Sequence, residues 1–391
     1  MIRNIYYLLI FFLMVSASYG RPPYYESIDL TPIKSDTVPY KMVVVHNVGK
    51  MALTITNYGI IGRQSDLPVT DPLTGQLLPS LSYPPGMGLN YLYEAGLWVG
   101  AIVGRDALVS TACGADYGVH EFWPDSFPGG QIQYRSNNNP ELPEYEGAIS
   151  QQDYIAVYYD TLTDPNRTGY DYYSRHFHRP LGIKIIQKSY AWGYDYADDF
   201  VLFDLEIINI GINDLKQMYV GLYIDNDIGK DYKFNNGDDI CGFRRAVPSR
   251  YIARLVDTIN IVWAADNDGD YNPISGAFMG LYSPTSAVAT RILRTPLEYL
   301  HFNFNWWISS NDPKNDWGPR RAGTPSNPFR SFNGYLGTPV GDANKYYIMS
   351  HEEFDYDQRE TYIDHSASGW LPPPANADQI TDGADIRYLL S

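Results

Sequence analysis

Alternation of apolar and polar residues predicts a chain built mainly of short β-strands. In residues 201–208, four apolar side chains at odd positions alternate with Asp204 and Glu206, as in a strand with one buried face. After a turn at 209–214 the period of two resumes and continues to Ile224, which predicts a hairpin or a Greek-key corner.

Ten further segments have the same short, strand-like character, and most of them are bounded by Gly, Pro, Asn or Asp. They are 41–46, 53–57, 97–103, 154–159, 183–189, 259–264, 277–282, 287–293, 302–308 and 346–349. One short helix is suggested by the capping-box spacing that begins at Ser350. The pattern therefore predicts an all-β protein with two β-sandwich domains, Ig-like or jelly-roll-like, with long loops and very little helix.

The first twenty residues have the pattern of a secretory signal peptide. Arg3 gives a positive start, residues 5–15 are an apolar run, and Ser18 and Gly20 are small residues before a cleavage site at Arg21. The apolar run is too short for a membrane-spanning helix. We therefore predict a mature chain that begins at residue 21 and is secreted, extracellular or attached to the cell surface.

Length predicts the domain organisation. Removing twenty of the 391 residues leaves 371, which exceeds the roughly 250–300 residues that one core usually serves. We predict an N-terminal β domain at 21–180 and a C-terminal β-sandwich domain with acidic loops at 181–391. Residues 386–390 resemble the start of a strand, so we also expect that the sequence is the front part of a longer protein.

The net charge limits the classes of molecule that this protein could bind. The 29 Lys and Arg against 45 Asp and Glu give a formal charge of −16, which argues against nucleic acid and anionic membrane surfaces and favours cations. A solubilising surface would give the same balance of charges.

The two cysteines leave two alternatives open. Cys113 and Cys241 fit either one disulfide between the two halves of the chain or two buried free thiols.

Two acidic segments are candidate calcium sites, because alternating Asp oxygens around a flexible Gly suit a hard cation. The first, at 266–272, resembles extracellular calcium loops but has no Glu at its twelfth position; the second follows the strand that ends at Ile224. Their candidate ligands are Asp266, Asp268, Asp270, Asp225, Asp227 and Asp231. The two segments could meet at one end of a sandwich and share an ion, or both could be solvated turns.

The sequence gives only weak signals for transition-metal binding, carbohydrate binding and catalysis. His176 and His178 are spaced to share one face of a strand and could bind a transition metal, although surface histidines are the more common outcome. Eight Trp and 35 Tyr invite a carbohydrate-binding interpretation, and residues 302–307 alternate between aromatic side chains and Asn. The sequence lacks the G-x-S-x-G nucleophile elbow, the H-E-x-x-H zinc-protease motif, the P-loop and the G-x-G-x-x-G dinucleotide-binding motif. We therefore assign no catalytic residue.

Several motifs together resemble an uncharacterised group of large secreted proteins of environmental bacteria. They are the segments 90–100, 197–203, 219–227, 315–318 and 353–357. Members often carry further β-sandwich modules and a C-terminal sorting or anchoring domain. The resemblance implies a bacterial exported or surface protein. It implies no particular activity.

Three functions follow as hypotheses. The first is a non-catalytic secreted or cell-surface β-sandwich protein with a structural or adhesive role, stabilised by calcium and contacting glycans or other surface proteins. The second is a carbohydrate-binding module or hydrolase, and the third is a divalent-metal-dependent extracellular enzyme.

Overall fold

The computed structural model of this protein is an almost purely β structure. It describes residues 8–17, 38–62, 78–86, 88–114, 120–171, 175–229, 237–251, 255–267, 286–297, 300, 302–308, 318, 339–350 and 383–391. The predicted strand at 277–282 and the predicted capping box beyond Ser350 lie outside these residues.

Twenty strands, one α-helix and one 3₁₀ turn make up the described elements. The first ten strands are β1 (Leu8–Ala17), β2 (Val43–His46), β3 (Ala52–Thr56), β4 (Ile60–Gly62), β5 (Leu81–Ser82), β6 (Glu94–Val103), β7 (Asp106–Thr111), β8 (Trp123–Pro124), β9 (Gln133–Arg135) and β10 (Gln152–Tyr159), with the 3₁₀ turn at Pro143–Tyr145. The others are β11 (Tyr170–Asp171), β12 (His176–Phe177), β13 (Ile183–Ala191), β14 (Phe200–Asn209), β15 (Lys216–Asp225), β16 (Asp239–Pro248), β17 (Val256–Asp266), β18 (Ala287–Arg294), β19 (Phe304–Ile308) and β20 (Ile386–Leu390), with helix α1 (Asp342–Ser350) before β20.

Two nine-stranded sheets, here called sheet A and sheet B, contain almost all of these strands. Sheet A has the order β16-β17-β18-β1-β14-β13-β10-β8, with β9 also paired to β10. Sheet B has the order β19-β20-β15-β6-β4-β3-β2, with β5 on β3 and β7 on β6. Strands β11 and β12 form a separate small ribbon.

The two sheets pack face to face around one apolar core, which confirms the predicted all-β, sandwich-like class. The core includes Phe203 and Leu205 from sheet A and Leu97 and Trp306 from sheet B, all almost fully buried. Phe243 of β16 stacks on Phe304 of β19 with 5.8 Å between ring centroids. Apolar burial of this kind is the main stabilising contribution to such a fold.

Helix α1 covers the outer face of sheet B. A Cβ added at Gly100 of β6 would lie 3.1 Å from the Tyr346 ring and 3.2 Å from the Met349 sulfur, so the helix packs closely on this strand. Strand β6 is therefore buried on both faces over most of its length, which explains its continuous apolar sequence. The prediction of a strand at 346–349 is wrong, because a four-residue apolar run does not distinguish a buried strand from one side of a short helix.

The connection between β14 and β15 crosses from one sheet to the other. The alternating pattern correctly predicts both strands, but β14 pairs with β13 and β1, whereas β15 pairs with β6 and β20. Of the two predicted arrangements, the hairpin is therefore wrong.

The predicted domain boundary near residue 180 lies between strands that pair with each other in the same sheets. Both sheets take strands from either side of it: β10 and β13 are neighbours in sheet A, and β6 and β15 are neighbours in sheet B. In the described part of the chain, no helix is long and apolar enough to cross a membrane.

Candidate metal centre

Acidic side chains from three strand ends meet at one end of the sandwich. Strand β15 ends at Asp225, β16 begins at Asp239, and Asp385 immediately precedes β20. The pairing of β15 with β20 places Asp225 opposite Arg387, and a single bridge links Asp239 to Ala384. Sheet pairing thus brings together residues that are far apart in the sequence.

Three carboxylates in this group have the spacing of ligands to one ion. One oxygen from each of Asp225, Asp227 and Asp385 lies within 4.8 Å of the other two. Calcium binds oxygen at about 2.3–2.6 Å, so two ligands of one ion are separated by at most about 5 Å. The group is therefore compact enough to surround a single cation.

Several oxygen atoms here are buried without a hydrogen-bond donor among the described residues. Asp225 is 5% exposed; its Oδ2 accepts from Arg387 Nε at 3.1 Å, but its Oδ1 has no donor. Asp239 is fully buried; its Oδ2 accepts from the Ile228 amide at 3.1 Å, and its Oδ1 has no donor. Buried polar atoms normally have a partner, so such atoms require an explanation, an ion among others.

Asn226 repeats this arrangement. Its side-chain nitrogen donates to the Tyr91 carbonyl at 2.6 Å, which fixes the amide, while its Oδ1 is buried without a donor in the described part of the molecule. An amide oxygen between two carboxylates in sequence is a suitable additional ligand for a hard cation.

Burial and mutual repulsion make these carboxylates costly to ionise. Burial raises the pKa of Asp225 to about 7, against the opposing charge of Arg387. Burial, followed by the charges of Asp225 and Asp385, raises the pKa of Asp227 to about 8. Burial also raises the pKa of Asp239 well above its usual range, with Asp227 among the charges that add to it. A bound cation would reverse this penalty and displace the protons.

The structure places three of the six predicted metal ligands among the described residues. Asp225 and Asp227 lie in the cluster, as their spacing suggested. Asp266 ends β17, is buried, and pairs in register with Asp239, whose pKa its charge helps to raise. The two predicted acidic segments therefore approach each other through Asp239. The other predicted ligands, Asp231, Asp268 and Asp270, lie outside the described residues.

Asp239 and Asp385 are not among the ligands that the sequence predicts. Asp239 lies eight positions after Asp231, the last ligand predicted in its acidic segment, and Asp385 has one acidic neighbour, Asp382, without the alternating Asp residues that mark the other two segments. Its one local signal is its position directly before the strand signal at 386–390.

The two cysteines are buried, and neither is part of a disulfide. Cys113 follows β7 and lies beneath Gly96 of β6, whereas Cys241 lies in β16 of the other sheet. Burial raises the pKa of the Cys113 thiol well above its usual value, which keeps it protonated and unreactive. Of the two alternatives, the disulfide is therefore not formed.

The histidine pair does not share a strand face. His178 is 7% exposed, and its Nδ1 donates to Glu121 at 2.8 Å while its Nε2 donates to the Asp160 carbonyl at 2.6 Å. Although burial opposes it, the charge of Glu121 raises the pKa of His178 to about 9. His178 is thus a buried imidazolium rather than a surface histidine or a metal ligand.

His176 instead lies near Asp171, with 4.0 Å between its Nε2 and the carboxylate, and near Asp342 at the start of α1. The Asp342 amide donates to Asp171, which attaches the helix to the β11–β12 ribbon. Asp171, His176 and Asp342 thus connect helix α1 to the β11–β12 ribbon, and we interpret the group as structural.

The aromatic segment at 302–307 lies in the interior. Trp306 and Trp307 are fully buried. The Asn303 and Asn305 amides donate to the Met349 and Ile348 carbonyls at 2.6 and 3.0 Å, and so cap the end of α1. The described part of this segment therefore offers no exposed face to a sugar.

No protein family model, curated protein or solved structure matches the chain.

Proposed function

We propose that this protein is an exported, non-catalytic β-sandwich protein with a structural or adhesive role, and that calcium stabilises the acidic end of the sandwich. The observation that carries the calcium proposal is the close group of Asp225, Asp227 and Asp385, the first two of them buried, together with the donor-less oxygens of Asn226 and Asp239. The signal-peptide pattern supports export. The sandwich fold supports a scaffold role.

Burial favours a structural ion over a catalytic one. A catalytic metal keeps an open coordination position for water or substrate. Asp225, Asp227 and Asp239 are 5%, 8% and 0% exposed, and of these four carboxylates only Asp385 is partly exposed, so most of the group is shielded from solvent. An ion here would bind the end of β15 and the residue before β20, and so hold together this end of two neighbouring strands of sheet B.

Thermal unfolding of residues 21–391 with calcium and with a chelator tests this proposal. A ligand that binds only the folded state raises stability by about 2.7 kcal/mol at a hundredfold excess over its Kd. We expect a clear rise in Tm with calcium, and a smaller rise with magnesium, because magnesium demands a more regular shell.

Variants separate the two acidic segments. Asp225→Asn should abolish the calcium-dependent rise, whereas Asp268→Asn should abolish it only if the 266–272 segment contributes ligands. Asp214→Asn, in an exposed turn, is the matched control and should behave like the unmodified protein. A Tm that is independent of calcium would remove the ion from the proposal and leave a group of protonated carboxyls.

A glycan-binding role remains as a second candidate because of one exposed aromatic pair. Tyr194 and Tyr196, in the turn between β13 and β14, stack with 5.6 Å between centroids and 10° between planes, and Tyr196 is 81% exposed. Flat exposed rings of this kind can receive a sugar face. Retention on a polysaccharide panel that is lost in Tyr196→Ala but kept in Tyr251→Ala, another exposed tyrosine, would support it; no retention would exclude it.

A further inference from the structure

Strand β1 occupies a central position in sheet A, yet it belongs to the segment that we predict to be removed on export. It runs parallel to both of its neighbours: residues 10–17 pair with 200–207 of β14, and residues 8–14 pair with β18. The inference below rests on the proposed export, because cleavage before Arg21 would take this strand away.

Removal of β1 would leave two unpaired strand edges that face each other. Adjacent strands lie about 4.8 Å apart, so β14 and β18 would be separated by roughly 9.6 Å, the width of one missing strand. A row of unpaired backbone donors and acceptors on each edge is a template for another strand.

Each half of sheet A is held in place by its own contacts with sheet B. On the β18 side, the Ala384 and Ile228 amides both donate to Asp239 of β16, at 3.0 and 3.1 Å. On the β14 side, His46 of β2 and Ser189 of β13 share a hydrogen bond of 2.8 Å. Closing the gap by direct pairing of β14 with β18 would require one half to shift by about 4.8 Å and break such contacts.

The two edges define the chemistry of a strand that would fill the gap. Val201, Phe203 and Leu205 of β14 are buried towards the core, whereas Asp204 and Glu206 lie on the opposite, partly exposed face. A suitable strand is therefore apolar at every second position and polar at the others. The predicted signal peptide is apolar at every position from 8 to 15, so its sequence suits only one of these two faces.

We infer that, after removal of the signal peptide, the gap between β14 and β18 is an acceptor site for one extended strand of a partner protein. The partner segment has at least eight residues, runs parallel to β14, and alternates apolar with polar side chains. Such addition of a strand to a sheet gives affinity through the main chain and specificity through alternate side chains. A second copy of this chain is a poorer donor, because its described strands are already paired in their own sheets.

The first measurement is hydrogen exchange on residues 21–391 alone. Alternate amides of β14 and β18 point into the gap and should exchange fast, whereas those directed at β13 and β17 should be protected. Protection of both sets would mean that the chain closes or fills its own gap, and would overturn the inference. A dimer in sedimentation, with the gap-facing amides protected, would overturn the heterologous partner.

The second measurement uses a defined probe. The probe is a synthetic peptide of residues 8–17 with Thr at positions 8, 10, 12 and 14, so that every second residue is apolar. The control peptide has the same composition with its four Thr residues grouped at one end. We expect the alternating peptide to raise the Tm and to bind at least about tenfold more tightly, because the control places polar groups on the buried face. Equal binding by both peptides, or binding by neither, would overturn the inference.

A cross-link checks direction and register. Because position 14 pairs with Asp204, a Cys at that peptide position should form a disulfide with Asp204→Cys, but not with Lys188→Cys on the next strand. A cross-link to Lys188→Cys of equal yield would refute the register.

Mass analysis of the exported protein separates the two levels of the proposal. A mature protein that still begins at Met1 would refute cleavage, and with it the vacated position. A chain that begins at Arg21 but has a protected gap would leave export intact and refute only the acceptor site.

Discussion

Replacing Asp227 by Asn should stabilise the protein when calcium is absent and remove its response to calcium. Asn has nearly the same shape as Asp but no charge. Asp227 is 8% exposed, and burial together with Asp225 and Asp385 raises its pKa to about 8. In the metal-free protein its negative charge is therefore a cost, whereas in the calcium form it is a ligand.

The size of the effect follows from proton linkage. A carboxyl whose folded pKa lies above its unfolded value binds more protons in the folded state, so stability falls as pH rises from the usual 3.8 towards about 8. At about 1.4 kcal/mol per pH unit, the penalty has a ceiling of roughly 5 kcal/mol at pH 8. Relaxation around the charge lowers it, and we expect a gain of about 2 kcal/mol for Asp227→Asn, or roughly 3 °C in Tm for a chain of this size.

The assay is thermal unfolding between pH 5 and pH 8, with a chelator and with excess calcium. With chelator, the Tm of the unmodified protein should fall as pH rises, and that of Asp227→Asn should fall less. With calcium at pH 8 the order should reverse, because only the unmodified protein gains binding energy. Asp214→Asn, an exposed control, should follow the unmodified protein throughout.

One result would refute this reasoning directly. If Asp227→Asn lowers the Tm at pH 8 in chelator, the carboxylate stabilises the metal-free fold, and the repulsion inferred from the geometry does not control this end of the sandwich.

The other predictions concern the core and the buried ion pair. His178→Gln should cost about 3–5 kcal/mol in urea unfolding at pH 7, because it leaves the Glu121 charge buried without its partner. Since the folded pKa of His178 is about 9 against 6.5 unfolded, its contribution is complete below pH 6.5 and is lost as pH rises through 9; the variant should lack this alkaline decline. Alkylation under denaturing, non-reducing conditions should modify both Cys113 and Cys241, and modification of neither would show that a disulfide forms. Gly96→Ala should destabilise by about 1–3 kcal/mol in the same urea assay, because a Cβ there would overlap the Cys113 sulfur and lie 2.9 Å from the Cys113 amide nitrogen; an unchanged midpoint would contradict the close packing of this strand.

The alternating pattern predicted the strands well because it reflects burial on one face. In β14, the buried positions are the four apolar ones that the period of two selects. The same pattern could not name the partner strand, since partner choice depends on the whole sheet. The sequence thus indicated the β14–β15 corner, but it could not show that the corner joins two sheets.

The acidic centre was only partly predictable for a similar reason. Asp225 and Asp227 were recognisable because they are neighbours along the chain. Asp385 and Asp239 join them through pairing of β20 and β16 with other elements, and no local spacing records that pairing. Helix α1 was missed because its apolar residues are too few to display a period of 3.6.

The large separation of the acidic residues along the chain has a consequence for the order of folding. Asp225 and Asp385 are 160 positions apart (385 minus 225), and strand β20 lies between β15 and β19 in sheet B. The edge of β15 that receives β20 therefore stays open until residues 386–390 have been made and have arrived. Contacts of such large sequence separation form slowly, because a long loop must close before they are rewarded. A chain that is still being synthesised or threaded through an export channel would thus remain incomplete at this end, and its native structure would close only after the whole segment is free.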